Sequence, residues 1–255
     1  MAKKQIALKI KLFVVSLKNK FFDALYPKNI TCVNCGAELV SSTRFSLCAK
    51  CMSELPRVGN HKCLTCGVEI NNEAQYCINC MNNDHFFEMN RSPLKYEGIG
   101  VSLIKKFKFG NKQYIADELA KMMCDEYFEA NFSCDVVVAV PMSEMELRER
   151  GYNQSSLLAK AISARLNLPY TETLLKVRDT SDQKHLKGRD RRDNLKGVFY
   201  VADNSMIKGK TVLLIDDVFT TGATINECSR TLKKHSARSV YSLTACITQL
   251  KVYSE

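Results

Sequence analysis

Four Cys-x-x-Cys pairs stand in the first third of this chain: Cys32/Cys35, Cys48/Cys51, Cys63/Cys66 and Cys77/Cys80. Two thiolates separated by two residues close a tight turn around a metal, and a segment poor in large apolar residues folds only once that metal is bound. The pairs repeat, since CVNCGAEL at 32–39 returns as CLTCGVEI at 63–70, an offset of 31 residues. Each half supplies its own second pair. That assigns one structural Zn²⁺ to Cys32, Cys35, Cys48 and Cys51, and another to Cys63, Cys66, Cys77 and Cys80. Interleaved ligation, first pair with third, is the alternative. A redox site needs one reactive pair rather than four in a repeat, and a four-sulfur set leaves no open position for catalysis. A zinc module that grips nucleic acid competes with a purely structural one. Cys124, Cys134, Cys228 and Cys246 are dispersed and read as small core residues.

With 255 residues, the chain has room for one good-sized core beside this module. No apolar run approaches the roughly 18–20 residues that cross a bilayer. The N-terminus lacks the small-residue cleavage site of a secretory signal, so cytoplasmic residence is expected. The formal charge of +10 is uneven: residues 1–20 hold six lysines and no acid, and Lys95, Lys105, Lys106, Lys108 and Lys112 crowd a second segment. Such asymmetry attracts phosphate-bearing partners or anionic membrane. Ile6, Ile10, Phe13, Leu17, Phe21 and Leu25 follow a helical stripe, which predicts a basic amphipathic helix over 1–28, either packed or making peripheral membrane contact.

After the last pair the pattern changes to strands alternating with helices. CDVVVAVP (134–141), TVLLID (211–216) and SVYSLTACI (239–247) read as buried strands, and 113–130, 155–166 and 224–234 as helices. That order predicts an α/β fold with a mainly parallel sheet flanked by helices, whose ligands collect beyond the carboxyl ends of the strands. Two segments meet the condition: Val140, Pro141 and Met142 after one strand, and Asp216 and Asp217 at the end of another. Two carboxylates there can hold a vicinal diol, directly or through a divalent cation. Thr220, Thr221, Gly222, Ala223 and Thr224 then put small side chains before a helix, where free N–H groups and the helix dipole receive a phosphate. A diol beside a phosphate describes a ribose 5-phosphate unit. The pattern is neither a P-loop nor a dinucleotide fingerprint. The polar stretch 178–194 is long for a connection and predicts a functional loop.

VLLIDDVFTTGAT resembles the 5-phosphoribosyl-1-pyrophosphate signature of type I phosphoribosyltransferases. YEGIGVSLIKKFKFG, VVAVPMSEMELRERGYNQSSLLAKAI and LLKVRDTSDQKHLKGRDRRDNLKGVF resemble, in order, the ComF family of competence-associated phosphoribosyltransferase-like proteins. The eight cysteines resemble that family's zinc-binding N-terminal part in a double-ribbon form. After the basic helix expected at 1–28, the resemblance implies a double zinc ribbon at 29–84 and a type I phosphoribosyltransferase-like domain at 85–255. It places the ribose hydroxyls on Asp216 and Asp217, the 5-phosphate on Thr220–Thr224 and the pyrophosphate on Val140–Met142. Arg148, Arg150 and Arg192, with Lys108 as a weaker choice, are candidates for contacting pyrophosphate. Arg150 to Gln154 match the family's RGxNQ stretch, and Gln183, Arg191, Arg192 and Asn194 its flexible loop; His185 has no assigned role.

The resemblance further implies Mg²⁺ with 5-phosphoribosyl-1-pyrophosphate as ligand, single-stranded DNA as a partner in natural transformation, and contact with a DNA helicase or other transformation proteins. Two other readings remain: a phosphoribosyltransferase of nucleobase or nucleotide metabolism, and a non-catalytic nucleic-acid-binding adaptor that uses the pocket as a ligand sensor. For DNA, the basic segments carry Tyr96, Phe107, Phe109, Tyr114 and Tyr152 nearby, as stacking groups or as core.

Overall fold

A computed structural model describes residues 30–39, 44–70, 73–110, 112–177 and 197–249. The expected helix over 1–28 and the loop 178–194 therefore lie outside the described residues. The chain divides into two compact units, residues 1–53 and 54–255.

The first unit holds one knuckle. Cys32 N–H donates to Ala37 O at 2.7 Å and Gly36 N–H to Cys32 O at 2.8 Å, closing the turn on Cys32 and Cys35. Helix α1 (Ala49–Ser53) carries Cys51. Cys32, Val33, Phe45, Leu47 and Cys51 are buried.

The second unit begins with the same turn. Cys63 N–H donates to Val68 O at 2.8 Å and Gly67 N–H to Cys63 O at 3.0 Å. Helix α2 (Ile78–Met81) follows Cys77. Then come β1 (Met89–Arg91), β2 (Leu94–Lys95), α3 (Gly98–Phe109), α4 (Ile115–Glu129), β3 (Val136–Ala139), α5 (Glu144–Arg150), α6 (Gln154–Leu166), β4 (Tyr170–Thr171), β5 (Leu174–Lys176), β6 (Phe199–Val201), β7 (Thr211–Phe219), α7 (Ala223–Lys234) and β8 (Ser239–Ile247). The main sheet runs β1-β8-β7-β3-β4, with β2 also on β8, while β5 and β6 pair apart. Every pair in the main sheet is parallel, as the alternation of strands and helices requires.

A parallel sheet is covered on both faces, so its strands are apolar throughout; all four residues of β3 are buried. Val136, Val138, Val212, Leu214 and Val240 share one cluster with Ile225, Cys228 and Leu232 of α7. Val137 and Leu213 alternate to the opposite face and are equally buried; α4 and α6 pack there. The helices predicted at 113–130, 155–166 and 224–234 are α4, α6 and α7. Sequence pattern alone assigns neither α3 nor α5, and it ends the second predicted strand at Asp216, short of the observed β7. β7 runs on through Asp216 and Asp217 to Phe219, because β8 stays paired with it as far as Phe219↔Ile247.

The second knuckle is built into this unit. Cys63, Cys66 and Cys77 belong to the same apolar cluster as Leu214, Phe219 and Ile225. Asn90 N–H donates to Thr65 O at 2.7 Å, and the Asn90 amide to Cys66 O at 2.9 Å. Arg91, itself buried, donates to Leu64 O at 3.2 Å, and Lys62 pairs with Glu126 of α4 at 2.8 Å.

The repeat therefore offers an internal control. Gly36 and Gly67 both have left-handed φ, +79° and +77°, but a Cβ at Gly36 meets nothing within 4 Å whereas one at Gly67 lies 2.7 Å from Asn90 O. Gly36→Ala should cost about 1–2 kcal/mol of backbone strain in its own unit. Gly67→Ala adds a backbone clash to that strain, and chemical unfolding should show the larger loss there.

Candidate functional site

The site begins where β3 stops and β7 does not. Pro141 follows Val140, whose N–H makes the last bond across, to Ile215 O at 2.9 Å; proline has no N–H to continue the ladder. From Asp216 onward β7 keeps β8 on one side and has no β3 partner on the other. The two acids project at that notch. Asp217 is 8% exposed, and its Oδ2 lies 2.7 Å from Lys108 Nζ near the end of α3. Asp216 Oδ1 accepts from Ser155 Oγ at 2.8 Å and from Asp217 N–H at 2.9 Å.

Burial, reinforced by the neighbouring Asp217 charge, pushes the Asp216 carboxyl up to about 7 against the opposing pull of Ser155, the Asp217 amide and Lys108. Burial alone would depress the Lys108 ammonium, but the Asp217 carboxylate, with help from Asp216, outweighs it and holds Lys108 above the usual lysine value. The site is thus a carboxylate pair sharing one lysine.

Beyond Phe219 the chain bends through Thr220, Thr221 and Gly222 and enters α7 at Ala223. Gly222 is the N-cap at φ +77° and, having no side chain, caps none of the first-turn amides; apart from Ala223 N–H, which reaches Thr221 Oγ1, these are the donors an anion can take. The position admits only glycine, because a Cβ would drive into the Phe219 ring. Thr221 Oγ1 lies 3.4 Å from Ala223 N.

On the β3 side, Val140 to Met142 lead into Ser143, which caps α5 through a reciprocal bond with Glu146. Asn153 caps α6 by accepting from Ser155 N–H, and its amide donates to Val140 O at 3.0 Å, tying the RGYNQ stretch to that turn. Tyr152 donates its hydroxyl hydrogen bond to Phe107 O. Arg150 sits 5.4 Å above the Phe109 ring and donates to Gln154 Oε1 at 3.2 Å. Arg148 faces solvent, paired with Glu144 at 3.4 Å. The fold thus brings Asp216, Asp217, Lys108 and the RGYNQ stretch together, with Arg148 on the outer face of α5. Arg192, with Gln183, His185, Arg191 and Asn194, lies outside the described residues.

Sequence reasoning missed Ser155. Its signal was faint: one hydroxyl following the RGYNQ stretch at the first turn of α6. Of the aromatics weighed for stacking, Phe107 is fully buried, whereas Phe109 and Tyr114 are exposed.

The cysteines gather in the sequential sets, Cys32, Cys35, Cys48 and Cys51, and Cys63, Cys66, Cys77 and Cys80, with the sulfurs of each set within 4.8 Å of one another. Cys35 and Cys48 sulfurs are 3.6 Å apart, and Cys66 and Cys77 sulfurs 3.7 Å. A tetrahedral zinc with Zn–S near 2.3 Å spaces its sulfurs by about 3.8 Å, so both sets fit structural zinc. Crowding already divides the thiols of the second set. Cys63, held by hydrogen bonds from Cys66, Cys77 and Cys80, lies well below the usual thiol range, and Cys66, bonded to Cys63, well above it.

Residues 109–251 match the phosphoribosyl transferase domain family, and residues 21–81 match the double zinc ribbon domain family. The chain is similar to Competence protein F of Haemophilus influenzae, with 31% identity over 214 residues that cover 81% of this chain and 92% of that one. It is 27% identical to the DNA utilization protein YhgH of Escherichia coli strain K12 over 210 residues, 80% of this chain and 91% of that one. Its identity to Competence protein ComFC of Bacillus subtilis is 28% over 213 residues, 78% and 82% of the two chains.

Ser155→Ala removes a hydrogen bond that favours the charged form of Asp216. The Asp216 titration should therefore move above about 7, as read from the pH dependence of its carboxyl carbon NMR shift.

Proposed function

This chain belongs to the phosphoribosyl transferase domain family, among relatives of Competence protein F, and from that premise we propose that it binds 5-phosphoribosyl-1-pyrophosphate and handles incoming single-stranded DNA during DNA uptake. The observation that carries the sugar-phosphate half is the notch on β7, where two carboxylates stand a few residues before the uncapped first turn of a helix. In this reading Asp216 and Asp217 accept from the ribose hydroxyls, the amides of Thr220–Thr224 and the α7 dipole receive the 5-phosphate, and the Val140–Met142 turn faces the pyrophosphate. Hard carboxylate oxygens are the donors Mg²⁺ prefers, so the ligand would enter with that ion.

Lys108 now holds Asp217, so it would release that acid or share it when a diol arrives. Arg150, packed against Phe109 and Gln154, is the arginine we propose to meet a departing pyrophosphate, and Arg192 is proposed from the motif alone. Transfer of the pentosyl group to an acceptor would draw on the same charges, since electrostatic stabilisation dominates such chemistry. A phosphoribosyltransferase of nucleobase or nucleotide metabolism is the competing reading, supported by the domain match.

The DNA half rests on the relatives' names, Competence protein F and DNA utilization protein YhgH, together with the net charge of +10. Exposed Phe109 and Tyr114, with exposed Lys105 one turn before Phe109 on α3, offer the stacking and backbone charge that single strands need. Among the described residues, no helix is long and apolar enough to cross a membrane. We place the protein in the cytoplasm, with a helicase or other transformation proteins as partners.

Asp216→Asn together with Asp217→Asn should weaken 5-phosphoribosyl-1-pyrophosphate binding at least about tenfold in calorimetry, as the loss of charge-assisted bonds demands. Salt-sensitive single-stranded DNA binding should survive in the same variant. Unchanged sugar-phosphate affinity would remove the proposal, and pyrophosphate release that depends on both acids with an added nucleobase would favour the metabolic reading.

The pH dependence has a definite sign. The fold's preference for protonated Asp216 is complete below the ordinary carboxylate range and is lost as pH rises through about 7. Ligand affinity that needs the carboxylate should therefore increase from pH 6 to pH 8, as a titration series would record.

A further inference from the structure

The chain leaving the second knuckle does not pass straight into the sheet. It turns back over the bend that precedes α7, and two contacts hold it there, with a third, between rings, inside the segment itself. Phe86 N–H donates to Asn226 Oδ1 of α7 at 2.6 Å. The Phe87 ring meets Phe219 edge-on with centroids 6.0 Å apart, and His85 lies against Phe87 at 4.9 Å. Between this segment and the bend is a cavity of about 90 Å³. Asn79, Asn83, Asp84 and His85 line it from the knuckle side, and the Thr221–Ala223 bend lines it from the other. Among the described residues no lysine or arginine lines it, so an anion there would be held by neutral donors and by the α7 dipole, with the Asn83 amide exchanging its present bond to Asn79 O.

We propose that the second zinc knuckle is a component of the sugar-phosphate site: its exit segment, residues 79–85, forms the outer wall of the phosphate cradle, and Asn83 and His85 contact the terminal phosphate of the ligand. The inference rests on the sugar-phosphate reading above and deepens it. Cys63, Cys66 and Cys77 share the cluster that contains Phe219 and Ile225, so the metal-bound knuckle and the cradle are supported by one set of packed side chains. Asp84 works in the opposite sense. It is an exposed carboxylate on the rim, which repels an anion and disfavours ligands without a strong second anchor at Asp216 and Asp217.

The test uses the full-length, zinc-loaded protein, with ribose 5-phosphate and inorganic phosphate as probes in calorimetry. Asn83→Ala and His85→Ala should each weaken ribose 5-phosphate binding about five- to tenfold while both zincs are retained. Asp84→Asn should bind roughly two- to threefold tighter, an opposite change that a merely structural wall would not give. Hydrogen exchange on the unsubstituted protein avoids any folding defect: amides of 79–86 should gain protection when ribose 5-phosphate is added. Unchanged affinity in Asn83→Ala and His85→Ala, weaker binding in Asp84→Asn, or unchanged protection would each overturn the wall. If ribose 5-phosphate binding is lost in Asp216→Asn but not altered by the wall substitutions, this inference alone falls. A wild-type protein that binds neither probe overturns both it and the sugar-phosphate reading.

Discussion

The unequal length of two neighbouring strands is the constraint from which the rest follows. β3 gives its last ladder bond at Val140 and then meets Pro141, while β7 continues with β8 to Phe219. A strand that outlasts one neighbour is held by the other while every second residue turns its N–H and C=O to the open side; here Asp217 N–H is taken by the Asp216 carboxylate. The core residues of β7, Val212 to Ile215, are fully buried. Asp216 and Asp217 begin where the cover on one side ends.

The cost of placing two acids there is met locally. Lys108 neutralises part of the pair from α3, Ser155 and a backbone amide satisfy Asp216, and burial still holds Asp216 in a range where it exchanges its proton near neutrality. A site whose charges balance only in part favours a ligand that completes the balance. The first turn of α7 supplies the complementary feature, positive rather than negative, a few residues further on. Lysine, serine, acids and helix end are drawn from α3, α6, β7 and α7, and the parallel sheet brings all four elements to one rim.

Much of this was legible from the chain. The apolar runs of β3, β7 and β8 announced a parallel sheet, and the double acid followed by small residues announced two acids at a strand end before a turn into a helix. The spacing of the four thiol pairs announced two four-sulfur sets. Other features were legible but overlooked: Ser143 with Glu146 is a capping box written plainly as S-x-x-E, yet α5 went unassigned. α3 was obscured by Gly98 and Gly100 in its first turn, which lower helix propensity and are tolerated because its Leu103, Ile104 and Phe107 are buried.

The two knuckles show most clearly where sequence stops. CVNCG and CLTCG are nearly the same string, and by itself the string determines a turn, a left-handed glycine and a sulfur pair in both copies. It does not determine that Gly67 lies against Asn90 O while Gly36 has open space, nor that Arg91 donates into the second turn. Local geometry follows from neighbours along the chain, so the turns and thiol pairs were fixed by sequence. Which surface each turn meets, and that Ser155 reaches Asp216 across 61 positions, depends on long-range packing, and only the tertiary structure decided it.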